Sequence, residues 1–140
     1  MNFHGSKMKL DQYSAASRLY GLSGIRIGVD AQKMACNQVS GGISDRWAFC
    51  EDGKVGYWAP EVEGPFTVNC PGNFTTLEGL DAKSLGLAFT IMAINHMAFD
   101  AYHQGDEQLC DELSEWQEQL RMYAFETEGF DGSAINTILD

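Results

Sequence analysis

The chain has 140 residues, 44% of them hydrophobic and 11% aromatic, and carries 20 acidic against 9 basic side chains, a formal charge of −11. The apolar content excludes a wholly disordered chain, and a domain of this size buries roughly two-thirds of its unfolded-chain surface. The charge disfavours direct binding to nucleic acid or anionic lipid, because affinity for phosphates needs the opposite sign.

No stretch approaches the ~20 apolar residues that span a bilayer. The longest candidate, Leu85 to Phe99, is interrupted by Asn95 and His96. The opening MNFHGSKMKL lacks an apolar signal core, so a cytoplasmic protein is expected. In that reducing compartment Cys36, Cys50, Cys70 and Cys110 read as free, semi-buried thiols. Asn73-Phe74-Thr75 matches a glycosylation acceptor and is taken as a chance match in a chain without an export signal.

With no internal repeat, low-complexity tract or linker, residues 1–140 read as one domain, residues 1–10 as a loose tail. Asp11 to Tyr20 predicts a short helix with Tyr13, Ala16, Leu19 and Tyr20 on one face. Gly21, Gly24 and Gly28 read as breakers, and Val29 to Val39 as another short helix ending at Ser40-Gly41-Gly42. The period then shortens to two. Arg46 to Cys50, Val55 to Ala59 and Phe66 to Cys70 read as strands, separated by turns over Glu51 to Lys54 and Glu61 to Pro65. Together they predict a three-stranded antiparallel meander.

The remainder is helical. Asp81 is a good N-cap for a helix to about His103, apolar almost all round and therefore central and buried. Gly105 breaks the chain before an amphipathic helix from Asp106 to Phe125, whose Leu109, Leu113, Trp116, Leu120 and Tyr123 form one seam. A short terminal helix carries Ile135, Ile138 and Leu139. The expected class is α+β: a small three-stranded sheet packed against a buried central helix and further amphipathic helices.

Catalytic apparatus is hard to find. His96, His103 and Cys110 are seven residues apart, but the break at Gly105 separates the last two, and the chain has no HExxH motif or CxxC pair. It has no G-x-S-x-G elbow. Glu61 and Glu63 fall in a turn, where solvated acids are common. We therefore expect no catalytic residue, no bound metal and no cofactor.

The charge is uneven. Residues 1–70 carry seven basic and seven acidic side chains, whereas residues 71–140 carry two basic against thirteen acidic. On the amphipathic helix Glu107, Asp111, Glu115 and Glu118 form one stripe opposite the Leu/Trp seam, widened by Asp106 and Glu112. Residues one turn apart are roughly 5–6 Å apart, close to the spacing of successive phosphates along a strand. The stripe is thus a candidate partner-binding face that mimics nucleic acid toward a basic protein cleft; a merely solvated helix face explains it equally well.

The middle third adds a family pattern. Gly41-Gly42, then Trp47-x-Phe49-x-Glu51 and Gly56-Tyr57-Trp58-Ala59-Pro60, resembles the signature of the ArdB/KlcA antirestriction family. Leu80 to Leu87 resembles that family's M-S-A-D-A-F-G-I helix start, and Leu120-Arg121-x-Tyr123-Ala124 its L-R-x-Y-A segment. The chain departs by holding Ile43 to Arg46 between the glycines and Trp47, and Glu126-Thr127-Glu128-Gly129 where the family has H-P-E. The resemblance covers about residues 37–140. It implies a non-enzymatic protein of plasmids or phages that protects incoming DNA by inhibiting a host type I restriction enzyme, directly or indirectly. Trp47, Phe49, Glu51, Gly56, Tyr57, Ala59 and Pro60 read as structural within that pattern, with sheet-core, turn and strand-stop roles among them. The alternative is a small acidic adaptor, or an inhibitor of another defence system such as CRISPR, acting by protein–protein contact. Either is expected to be a monomer or weak homodimer, off the membrane and without direct nucleic-acid binding.

Overall fold

The computed structural model describes residues 3–43 and 46–140, with residues 3–11 described as backbone only. Among these lie α1 (Phe3–Tyr20), α2 (Ser23–Gln38), β1 (Trp47–Asp52), β2 (Val55–Pro60), β3 (Phe66–Cys70), β4 (Thr75–Leu80), α3 (Ala82–His103), α4 (Glu107–Glu126) and α5 (Gly132–Leu139). The class is α+β.

Helix α3 is the axis of the molecule. Leu85, Leu87, Phe89, Ile91 and Ile94 are fully buried, and α2, α4, α5 and β2 pack around it. Three aspartates start the last three helices: the Asp81, Asp106 and Asp131 carboxylates accept from the N–H groups of Ser84, Leu109 and Ala134 at 3.0–3.1 Å. Gly105, at φ +78°, closes α3. Its N–H bonds Tyr102 O and the Asp106 N–H bonds Ala101 O, the paired bonds of a Schellman stop. On α4, Leu113 and Leu120 are buried against the core and Leu109, Trp116 and Tyr123 are half-buried.

Four sequence expectations need correction. Helix α1 begins at Phe3 rather than Asp11, so no loose tail spans residues 3–10; residues 1 and 2 lie outside the described set. Lys7, Met8, Lys9 and Leu10 are good helix formers, and local propensity carries the helix through them. Helix α2 begins at Ser23, so Gly24 and Gly28 lie inside it. They are contact points rather than breakers. A Cβ on Gly24 would lie 2.5 Å from Ala16 O, and one on Gly28 2.6 Å from the Trp58 indole. Gly21, at φ +59°, does separate α1 from α2.

The sheet differs most. In place of one three-stranded meander there are two antiparallel hairpins, β1–β2 and β3–β4. The edge of β2 that a third strand would need is taken by α3. The Trp58 N–H donates to Thr90 Oγ1 at 3.0 Å, and the Thr90 hydroxyl donates to Trp58 O at 3.2 Å, so one side chain substitutes for a strand partner. Gly86 permits the approach: a Cβ there would lie 2.4 Å from Trp58 O. Strand β3 pairs instead with β4, and on its other side Val39 forms an isolated bridge with Val68. The fourth strand escapes the period rule because a bulge between Phe66 and Val68 shifts its register and Gly79, at φ +74°, interrupts it.

Candidate functional site

Helix α4 builds the site. Its seam of Leu113 and Leu120 faces α3, and Trp116 meets the Tyr20 ring edge-on at 5.0 Å, which orients the opposite face outward. Glu107, Asp111, Glu115 and Glu118 are all exposed on that outer face, within about 16 Å of helix axis. Glu112 is exposed on the flank. Asp106 is also exposed, but its carboxylate is committed to the Leu109 N–H as a cap. Glu112 and Glu115 accept from Gln108 and Gln119 at 3.5 Å, the limit of a hydrogen bond. Among the described residues none of the six enters an ion pair; the pairs present are Arg18–Glu51, Arg26 with Asp30 and Asp100, and Arg46–Glu61. Arg121, on the same helix, pairs with none of them. Among the described residues the stripe is therefore a run of exposed carboxylates without a cationic partner.

One further feature of this face escaped the sequence reading. Met122 and Phe125 continue the stripe by one turn and remain exposed, Phe125 at 80%. Helical period, with the seam at Leu109, Leu113, Trp116, Leu120 and Tyr123, places Met122 and Phe125 on the same face as Glu118, but the sequence reading takes only the charged residues of that face into account. The outer face of α4 thus runs from carboxylates into two large apolar side chains.

The Trp47-to-Pro60 segment folds on itself as the β1–β2 hairpin, with Trp47 opposite Pro60, Phe49 opposite Trp58 and Glu51 opposite Gly56. Trp47, Gly56, Tyr57, Ala59 and Pro60 are buried, Phe49 is half-buried, and Glu51 is exposed beside Arg18 at 3.4 Å. On the face toward α4, Tyr57, Tyr123 and Phe130 pack as a ring cluster with centroids 5.4–6.3 Å apart, and the Tyr123 hydroxyl donates to Asp52 at 2.9 Å. Burial, and secondarily the Asp52 carboxylate, push Tyr123 up to about 12. Burial likewise raises the Cys50 thiol, although the Tyr57 hydroxyl and Lys83 oppose it, so Cys50 is protonated at neutral pH and a poor nucleophile.

The other candidate residues are not brought together. Glu61 and Glu63 are exposed between β2 and β3, and Glu61 lies 3.8 Å from Arg46. Gly41 and Gly42 are exposed at φ +81° and +79°, while Ser44 and Asp45 of the following spacer lie outside the described residues. His96 and His103 are exposed on α3, Cys110 is half-buried on α4, and among the described residues no group of three or more His, Cys, Asp or Glu could hold a metal ion. The Asn73 side chain is engaged, donating to Thr137 O at 3.0 Å and accepting from the Thr75 N–H at 3.1 Å. All four cysteines are free. Among the described residues no helix is long and apolar enough to cross a membrane. No protein-family model matches the chain, and no curated protein matches it significantly.

Proposed function

We propose that the chain is a non-enzymatic antirestriction protein, acting in the cytoplasm to shield incoming mobile DNA by engaging a host type I restriction enzyme through the outer face of α4. The observation that carries this reading is the stripe of exposed carboxylates at Glu107, Asp111, Glu115 and Glu118, none in an ion pair among the described residues. Like charges three and four apart each cost the helix a few tenths of a kcal/mol. A basic cleft shaped for DNA would offset that cost and gain from steered encounter. The order of motifs shared with the ArdB/KlcA family supports the same reading. Burial raises the Cys50 thiol and so disfavours its thiolate.

Expressed in a host with an active type I system, the protein should raise the plating efficiency of unmodified phage and the transfer of unmodified plasmid. The purified protein should show no nuclease, methyltransferase or ATPase turnover. A well-expressed, folded protein that gives no protection across several type I systems would overturn the proposal in favour of an adaptor.

A further inference from the structure

We propose that the cleft between the end of α2 and the β3–β4 hairpin binds a neutral sugar ring, with Phe74 as its stacking platform. Phe74 stands at φ +55°, in the left-handed region that bulky side chains rarely enter, and it is 97% exposed. No packing against the fold offsets that strain. Asn73 holds the loop in this shape, its side chain accepting from the Thr75 N–H at 3.1 Å and donating to Thr137 O at 3.0 Å. Glycine or asparagine would take the same conformation at lower cost. Backbone strain that the surroundings impose and the core does not use is a mark of ligand clamps.

Phe74 borders a cleft of about 340 Å³, within the range of small-ligand sites. Asn37 and Gln38 line one wall, Asn69, Thr75 and Thr76 the other, and no charged side chain lines it. The Val39–Val68 bridge and the Ser40 N–H bond to Thr67 O at 2.8 Å tie the two walls together. Both walls keep hydrogen-bonding capacity. Asn69 Oδ1 accepts from the Thr76 hydroxyl at 3.2 Å, which leaves the Asn69 NH₂ without a partner among the described residues. The Asn37 side chain has none there either, and Gln38 makes only a 3.9 Å contact from Nε2 to Met92 Sδ. These groups select the ligand. A cation finds no carboxylate in the cleft, an anion meets the net charge of −11, and an apolar molecule leaves the amides unsatisfied. A pyranose presents hydroxyls around its rim, each donor and acceptor, to amides that offer both from two walls. Its C–H face stacks on an aromatic ring. A nucleobase also stacks, but it confines its polar groups to its edges in one plane. This site does not depend on the antirestriction reading.

The ¹⁵N-labelled full chain is titrated with the methyl pyranosides of glucose, galactose, mannose and N-acetylglucosamine, each to about 50 mM. At least one should shift the backbone amides of residues 37–38, 69–70 and 74–76 saturably, with a Kd in the millimolar range. Phe74→Gly should weaken that binding by about tenfold or more. It should also raise the urea midpoint, because glycine adopts a positive φ without strain. Asn69→Ala, at an exposed position, should weaken binding by a similar factor and leave the fold intact by circular dichroism. Glu107→Gln, on α4, should leave binding unchanged. The absence of saturable shifts with all four glycosides overturns the proposal, as does binding indifferent to Phe74→Gly and Asn69→Ala. A urea midpoint lowered by Phe74→Gly assigns the ring to the fold and overturns it too. Adenosine to about 10 mM tests the other flat ligand: shifts with adenosine and none with the glycosides overturn the sugar assignment.

Discussion

Trp58 joins the two layers of the molecule. Its indole N–H donates to Gly24 O at 3.1 Å, its ring packs against Phe49 and Tyr13 with centroids 5.2 and 6.0 Å apart, and its backbone is held by Thr90. Two glycines make room for it. At Gly28 an added methyl would meet the face of the indole ring, and at Gly86 it would meet backbone, with Ala59 Cα at 2.5 Å. A ring can tilt and a strand backbone cannot. Gly28→Ala should therefore cost about 1–3 kcal/mol and Gly86→Ala at least as much, read from urea midpoints at unchanged m. Tyr20 brings a pH dependence. Its hydroxyl donates to Gly56 O, and burial pushes it up to about 12. The unfolded side chain titrates near 10. The folded state thus holds its proton more tightly, so this contribution is intact below pH 10 and disappears as pH rises from about 10 to about 12. Thermal melts across that window should show stability falling by about 2 kcal/mol from this residue. Tyr20→Phe should make the decline shallower, leaving the part that Tyr123 contributes, while costing about 1 kcal/mol below pH 10, where the hydrogen bond is lost.

Between elements, the controlling contact is the one between β2 and α3. Thr90→Val keeps the shape of the side chain and removes the hydroxyl, leaving the Trp58 N–H and C=O without their partner. A buried, unsatisfied group costs about 1–3 kcal/mol, so Thr90→Val should destabilise by at least that much in thermal or urea unfolding, and Thr90→Ser should restore most of it. The same contact explains what was legible in the sequence. Helices α3 and α4 announce themselves through caps, stops and period, and their observed bounds fall within about one residue of expectation, because those signals are local. Strands β1 to β3 are legible for the same reason. The pairing of the strands is not, since nothing within residues 55–70 reveals that a threonine twenty residues downstream will take the β2 edge. Gly24 and Gly28 mislead in the same way: a glycine that admits a ring from a distant strand has the same letter as one that ends a helix. The acidic face was legible because its six residues lie on one helix; its apolar continuation at Met122 and Phe125 was overlooked although the same helical period places it there, because large apolar side chains on a charged face carry no charge pattern to mark them.

At the scale of the whole molecule the charge is segregated: residues 71–140 hold the entire net −11, and α4 displays much of it on one side. Such a surface acts at a distance before any contact forms. If Glu107, Asp111, Glu115 and Glu118 stand in for phosphates, association with the target should be steered, and its on-rate should fall as salt rises past physiological strength, where the Debye length is about 8 Å. Met122 and Phe125 add a contact that DNA cannot make, and an apolar contact is insensitive to screening. The two parts therefore separate experimentally. Replacing the four carboxylates by Gln should leave the fold intact or slightly stabilise it, because Gln is a good helix former and four like charges leave one face. Plating protection at matched expression should nevertheless drop sharply, the salt dependence of binding should flatten, and DNA should no longer be displaced from the target by the variant. Met122→Ser with Phe125→Ser should instead shorten the lifetime of the complex and leave its salt dependence in place, since mutations at apolar anchors act mainly on dissociation. Circular dichroism on both variants checks the fold. Undiminished protection by the four-Gln variant would reduce the stripe to solubilising surface and move the contact to the loops around Gly41-Gly42 and Glu61 to Gly64, the exposed turns that flank the two hairpins.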